Sequence, residues 1–582
     1  MTARAIITAA IITATMTMAA AGWATPVSAQ PQAQVPVGTG AHLLLREQTA
    51  FVAPTDTLTM RLEVRGAPVG ALLSFGLSLS ISADQLDQYV AGRGTNQNHG
   101  TRFITLADVP PNADGTVSVR MPIASSGDDP DKGFSIDDKG GVYPLTVKLL
   151  TADKGQELDR FTTYLIRVPA APTNAAPLPV ATVVPLAAPL ALQPDGVTII
   201  DPADRSRLAA TVALLSRHAS VPLTVRPRPE TVAAVGHLET APPVPGPELP
   251  KTDQIARALG GRQLIGGAFV DLDVNAWSES GMTDELRRQL DLGSSVLAAW
   301  LDPPRPPDRH TWFAESPPTA AGLATLAGLG IDRVVLPVDP AVAVPANSAG
   351  NRSGQSFGID TTGGPVQAVG RDRRLSDRLT ATDNPVLNAQ VTLADLSLRY
   401  FANTNTKPGR GVVLDVPGTA AALDSLDTVL SALAAAPPPG GAAVVQPVDL
   451  DSLFAAPPTI SLPPSAAGAA TSPPTSSMGL YPENLAATQR LVSGFRSMAG
   501  ETSPDRLTAL DQLLDASGAD APGEAGRQAY LDAVAGSVRD DLAHINTPDQ
   551  ELITLTSSQA QIRIRIENAL SYPVYVRMSL VS

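Results

Sequence analysis

Residues 311–337 read TWFAESPPTAAGLATLAGLGIDRVVLP. Thr311–Ala314 and Arg333–Pro337 are short apolar runs of strand length, and Thr319–Leu329 between them carries a helical pattern. Strand, helix, strand is the unit of a parallel α/β fold. The same texture extends in both directions. Further strand candidates are Ala181–Leu186, Pro222–Val225, Leu264–Val270, Val366–Val369, Gly411–Val416 and Ala442–Val448. Helical patterns fall between them at Arg205–His218, Asp284–Trp300, Pro385–Phe401 and Thr419–Ala435. Eight strand candidates alternating with helices over residues 180–454 predict a distorted (β/α) barrel of seven or eight strands.

The flanking texture differs. Before the barrel, Leu58, Met60, Leu62 and Val64 alternate with Thr59, Arg61 and Glu63, as a strand with one buried face does. Val117, Val119 and Met121 repeat the pattern, as do Leu145, Val147 and Leu149. These runs predict an immunoglobulin-like β-sandwich over 41–169, with an acidic loop at 126–141. Pro/Ala-rich residues 170–179 read as a stiff linker, 455–479 as a low-complexity linker, and 480–547 as three helices. In the last helix Tyr530, Val534, Val538 and Leu542 make the apolar stripe. Residues 548–582 alternate again, through Ile562, Ile564 and Ile566 and then Val574, Val576 and Met578. Three strands cannot bury their apolar face alone, so we expect a partial C-terminal β-sandwich in a truncated chain.

At the N-terminus, Arg4 precedes the uncharged run Ala5–Gly22, and Val27-Ser28-Ala29 offers small residues for cleavage. Residues 1–29 therefore predict a secretory signal peptide, residues 30–40 a linker, and the location is extracytoplasmic. Removing 1–29 takes one positive charge from 42 and leaves 41 basic against 56 acidic residues, a net of −15. Nucleic acid and anionic lipid need a basic face and are excluded as partners. The absence of cysteine excludes disulfides and a cysteine-ligated metal. His42, His99, His218, His237, His310 and His544 are scattered without ligand spacing, so neither metal nor cofactor is expected.

Ligand chemistry in such a barrel sits where strands end. The residues there are Arg226, Asp271, Asp273, Glu315, Asp339, Asp372, Asp415, Asp449 and Asp451. Paired carboxylates suit glycoside hydrolysis, one protonating the leaving oxygen and one assisting at carbon or activating water. An aspartate capping the next helix is the competing reading at each position. The candidate catalytic residues are Asp271, Asp273, Glu315 and Asp415. The candidate ligand-binding residues are Phe269, Trp277, Trp312 and Arg226. Strand alternation would place Asp271 and Asp273 on one face. Core packing competes with sugar stacking for both tryptophans. Gly354-Gln355-Ser356-Phe357-Gly358 matches a nucleophile elbow, but without a strand before it. Asp129, Asp131 and Asp137 depart from a calcium loop at Gly133 and Phe134 and read as a solvated acidic segment.

The chain resembles an uncharacterised family of secreted actinobacterial cell-envelope proteins. The likeness is carried by Gly141-Val142-Tyr143-Pro144-Leu145 with Arg160-Phe161-Thr162-Thr163, by Phe269-Val270-Asp271-Leu272-Asp273, and by Asn568, Leu570, Pro573, Val574 and Val576. The resemblance implies a middle domain similar to polysaccharide deacetylases and related glycoside hydrolases, and a link to peptidoglycan assembly through genes beside the lipid II flippase. It also implies a C-terminal membrane anchor beyond the given residues. The His-x-x-x-His pair of the deacetylases is missing. With only 4% aromatic residues, the expected function is binding of cell-wall glycan or of wall-assembly membrane proteins. A carbohydrate-active hydrolase and a structural adhesin-like spacer are the alternatives.

Overall fold

The computed structural model describes residues 40–125, 133–136, 140–242, 245–337, 356–402, 411–463, 478–500, 504–546 and 566–576, apart from the single positions 55, 96 and 459. The expected signal peptide, most of the acidic loop, Asp339 and most of the 455–479 linker lie outside these residues. Within them the chain is a mixed α/β protein with several sheets and fourteen α-helices.

The N-terminal strands are β1 (His42–Gln48), β2 (Thr57–Arg65), β3 (Leu72–Ser78), β4 (Asn98–Thr105), β5 (Thr116–Ser125), β6 (Phe134–Ile136), β7 (Gly141–Leu150) and β8 (Glu157–Arg167), with helix α1 (Ala83–Val90) after β3. They form two four-stranded sheets, ordered β1-β2-β5-β6 and β4-β3-β7-β8. Leu58, Met60 and Leu62 of the first sheet meet Leu73, Phe75, Leu145, Val147 and Leu149 of the second in one apolar cluster. The alternation along β2 predicts this, because every second side chain leaves the same face.

The alternating region begins with β9 (Leu178–Leu186), α2 (Pro202–Arg217), β10 (Thr224–Pro227), α3 (Pro229–Thr240), α4 (Thr252–Leu259) and β11 (Gln263–Leu264). It continues through α5 (Val274–Glu279), α6 (Thr283–Leu301), β12 (Thr311–Phe313), α7 (Ala320–Gly328), β13 (Arg333–Leu336), β14 (Phe357–Thr361) and β15 (Gly364–Gly370). It ends with α8 (Arg373–Arg378), α9 (Pro385–Ala402), β16 (Val412–Asp415), α10 (Ala420–Ala434), β17 (Val445–Val448), α11 (Leu450–Phe454) and β18 (Ser461–Leu462). One sheet runs β11-β10-β9-β16, with β17 also on β9, and the other runs β12-β13-β15-β14-β18. Single parallel bridges connect the two sheets, Ile265 to Asp308 beyond β11 and Arg371, just past the end of β15, to Val413 of β16. Seven parallel strands (β9, β10, β11, β12, β13, β15, β16) therefore follow one another around a ring. β17 pairs with the first half of β9 and does not extend the ring.

The strands are buried on both faces. Val412, Leu414 and Val225 face the surrounding helices. Ala181, Val183, Ile265, Phe313, Val335, Val369 and Val413 fill the interior. Leu450, Leu453 and Phe454 of α11 close one end of it. The Leu450 amide donates to Thr224 Oγ1 at 2.9 Å and the Asp451 amide to Gln263 Oε1 at 3.1 Å. Thr224 and Gln263 begin their strands, so α11 sits at the N-terminal end and the opposite rim stays open.

Sequence and structure part at further places. The strand expected at Leu264–Val270 is only β11 with one further bridge, Ile265 to Asp308; the Gly266 amide donates to Asp308 O at 2.7 Å, an approach at which a Cβ would lie 2.9 Å from that oxygen. Residues 345–364 are rich in Gly, Ser and Asn and read as an insert between strands, yet Phe357–Thr361 near their end forms β14, antiparallel to β15. The expected 170–179 linker ends inside β9, which starts at Leu178, and it is tied to the segment before β17, with Ala171 N donating to Gly440 O and the neighbouring Pro169 O accepting from Ala442 N.

The C-terminal helices α12 (Tyr481–Ala499), α13 (Pro504–Ser517) and α14 (Gly523–Ala543) share an apolar cluster with α5, α6, α7 and β13 of the ring. Of the strands expected over 548–582, the described residues 566–576 carry Glu567–Asn568 alone, paired with Ile545–Asn546. The rest of that expectation falls outside the described residues.

Candidate functional site

Strand alternation builds the open rim. Moving two residues on from an inward apolar side chain gives the next inward position. Phe313 is followed by Glu315, Val369 by Arg371 and Val413 by Asp415, while Arg226 stands two residues after Thr224. These four polar residues form a layer on the apolar interior. The guanidinium carbons of Arg226 and Arg371 lie 4.3 Å and 5.1 Å from the Phe313 ring centroid. Both rest on its face as cations do on an aromatic quadrupole.

The layer is an ion-pair lattice. Arg226 holds Glu315 Oε1, and Arg371 holds Glu315 Oε2 at 3.3 Å and also Asp415 Oδ2. Arg228 pairs with Asp271. A cavity of about 540 Å³ lies above, lined among others by Arg207, Arg226, Arg228, Asp271, Glu315 and Asp415. The turn between α13 and α14 forms part of its wall through Ala519 and Ala521. The Asp520 amide fixes that turn by donating to Asp271 O at 2.9 Å.

The two central carboxylates differ. Burial would raise the pKa of Glu315, but Arg226 and then Arg371 outweigh it, and its carboxyl sits below the ordinary range. At Asp415 burial prevails over the pull of Arg371 and Arg226, and its carboxyl is pushed up. Two carboxylates whose environments move them apart can divide the work of acid and base. Here, however, both oxygens of Glu315 and one of Asp415 are engaged by arginine.

The structure thus brings together Arg226, Asp271, Glu315 and Asp415. It places the other candidates elsewhere. Asp273 caps α5, its side chain accepting from Asn275 N at 2.9 Å. Because β11 is short, alternation does not carry it to the face of Asp271. Trp277 is buried in the cluster shared with the C-terminal helices, and half-buried Trp312 packs against the same cluster. Phe269 is buried with Ala233, Val270 and Ala519. Asp372 caps α8 and pairs with Arg399 at 2.6 Å. Asp449 caps α11, and Asp451 pairs with Arg333 at 2.9 Å at the closed end. Ser356 lies just before β14, buried against Ala456 O.

The arginines Arg207, Arg228 and Arg371 were not singled out in the sequence. Arg226-Pro227-Arg228 and the Val369-x-Arg371 spacing were the available signals. Among the described residues no group of three or more His, Asp or Glu is placed to hold a metal ion, and no helix is long and apolar enough to cross a membrane.

The chain has a weak structural likeness to the α-amylase AmyC from Thermotoga maritima, at 10% identity and a TM-score of 0.40, covering 63% of this chain and 94% of that one. Bacteroides uniformis β-glucuronidase 2, solved covalently bound to cyclophellitol-6-carboxylate aziridine, matches at 13% identity and a TM-score of 0.15, covering 50% and 33%. Scores this low decide nothing about activity. No curated protein matches. The model of a family of unknown function, DUF6049, matches residues 267–582, more than half of the chain, and the chain belongs to that family.

Proposed function

We propose that this is an extracytoplasmic cell-envelope protein that binds cell-wall glycan at the rim cavity without hydrolysing it. In this reading the N-terminal sheets are an immunoglobulin-like sandwich and the ring is a distorted (β/α) barrel. The observation that carries the proposal is Arg371, whose single guanidinium contacts both Glu315 and Asp415. A hydrolytic pair needs oxygens available to the leaving group and to carbon or water. A lattice of alternating guanidinium and carboxylate groups instead offers sugar hydroxyls both donors and acceptors. The volume lies within the range of small-ligand sites. Export is supported by the pattern of residues 1–29, and a place in peptidoglycan assembly by the resemblance of the sequence.

The hydrolase reading draws on the opposite pKa directions of Glu315 and Asp415. One experiment separates the two. The full chain, Glu315→Gln and Asp415→Asn are titrated with soluble peptidoglycan fragments, and released reducing ends are measured in parallel. The expected result is binding by the wild type, weakened roughly tenfold in either variant, with no glycan cleavage. Cleavage lost in both variants would establish the hydrolase. Neither binding nor cleavage would remove the rim cavity as a glycan site.

A further inference from the structure

A second cavity, of about 570 Å³, lies between α3 and α6 of the ring and α12 and α13 of the C-terminal helices. It shares no lining residue with the rim cavity. Ala234, Phe269, Leu292, Val296 and Trp300 give it an apolar wall. Its arginines are matched: Arg288 with Asp515, and Arg496 with Asp511 at 2.6 Å.

Glu230 is not matched in this way. It lines the cavity at only 2% exposure. Oε1 accepts from the amides of Ala191 at 2.9 Å and Leu192 at 3.1 Å. Oε2 is buried without a hydrogen-bond partner. Burial pushes the carboxyl up despite those two amides and the more distant Arg228. An unfilled acceptor in apolar surroundings is a costly arrangement, relieved when a donor arrives.

We propose that this cavity binds an amphipathic amine, with its apolar body against Phe269, Val296 and Trp300 and its protonated nitrogen donating to Glu230 Oε2. A cation is favoured over a neutral donor because it also compensates the buried charge. A carboxylate ligand would meet Glu230 and two arginines already engaged.

The test is calorimetric titration of the full chain with n-octylammonium, n-octanol and n-octanoate under identical conditions. Octylammonium is expected to bind about tenfold or more tightly than octanol, as a charge-assisted hydrogen bond provides. Glu230→Gln should abolish that preference and leave octanol unchanged. Val296→Trp should fill the cavity from a half-buried position and abolish binding of both. Equal affinity for the three probes, a preference that survives Glu230→Gln, binding that survives Val296→Trp, or no binding at all would each overturn the proposal.

Discussion

At the scale of single residues, Arg371 organises the rim. Its side chain and that of Asp415 are 15% and 17% exposed, so their pairing is largely desolvated. Removing one member of such a pair leaves the other charge buried alone. Arg371→Met should therefore destabilise the protein by about 3 kcal/mol in urea denaturation at neutral pH. Adding Asp415→Asn should recover most of the loss, because the orphaned charge disappears. A double variant as unstable as the single one would show that packing on Phe313, not charge, accounts for the effect. Glu315 and Asp415 were legible as rim positions because each stands at the end of an apolar run of strand length, and the structure puts each two residues after an inward apolar side chain. Arg371 obeys the same spacing, but its role depends on strand neighbours: β15 is bridged to β16, while Glu315 reaches it across the ring mouth. That juxtaposition is tertiary and leaves no local signal. Asp273 and Trp277 fail as rim residues for a related reason, since the chain bends at Phe269-Val270 and delivers them to a helix cap and a core.

At the scale of elements, α13 docks on α6 through Asp515. Its carboxylate pairs with Arg288, and its carbonyl accepts from Gln289 Nε2 at 3.0 Å. Burial pushes Asp515 from the ordinary 3.8 up to about 6, against the pull of Arg288. A carboxyl raised in the folded state retains a proton that the unfolded chain has released. Its contribution is full below the unfolded value and is lost as pH rises through the folded one. Between about pH 4 and pH 7 the wild type should lose about 3 kcal/mol relative to Asp515→Asn. Denaturant titrations of both proteins across that range measure the difference, and a constant difference would contradict it. Most elements were legible, since apolar runs of strand length alternate with helical patterns from Leu178 to Ala434. The exceptions have local causes. After Leu264 regular pairing gives way to a single bridge of Ile265 to Asp308 and one bond from the Gly266 amide to Asp308 O, so β11 stays short. β14 hides at the end of a Gly/Ser/Asn-rich insert, and its pairing with β15 and β18 supplies the order that composition does not.

At the scale of the whole molecule, the composition shifts along the sequence suggest beads joined by linkers, whereas the apolar clusters run across those boundaries. Val142, Tyr164 and Ile166 of the N-terminal sheets belong to the same cluster as Leu393 and Leu396 of α9 and Val412 of β16. Polar contacts reinforce that boundary: Arg374 and Arg378 of α8 reach Asp87 of α1, and Asn384 Nδ2 donates to Leu45 O at 3.0 Å. The C-terminal helices are bound as closely, through the cluster that joins Tyr481, Leu485 and Val534 to Trp277, Leu323 and Val334. Modules that share cores cannot unfold without exposing one another's apolar surface, so their transitions should merge. Phe75→Leu tests this from a distance. Phe75 is fully buried in the cluster between the N-terminal sheets, and the substitution should cost about 1–3 kcal/mol. Helical ellipticity reports mainly on the ring and the C-terminal helices, since α1 is the one α-helix described within the N-terminal sheets. If the molecule is one cooperative unit, Phe75→Leu lowers the thermal midpoint of that helical signal as far as it lowers the midpoint of the whole calorimetric transition. If the helical midpoint stays in place while a separate, earlier transition moves, the shared clusters do not couple the parts.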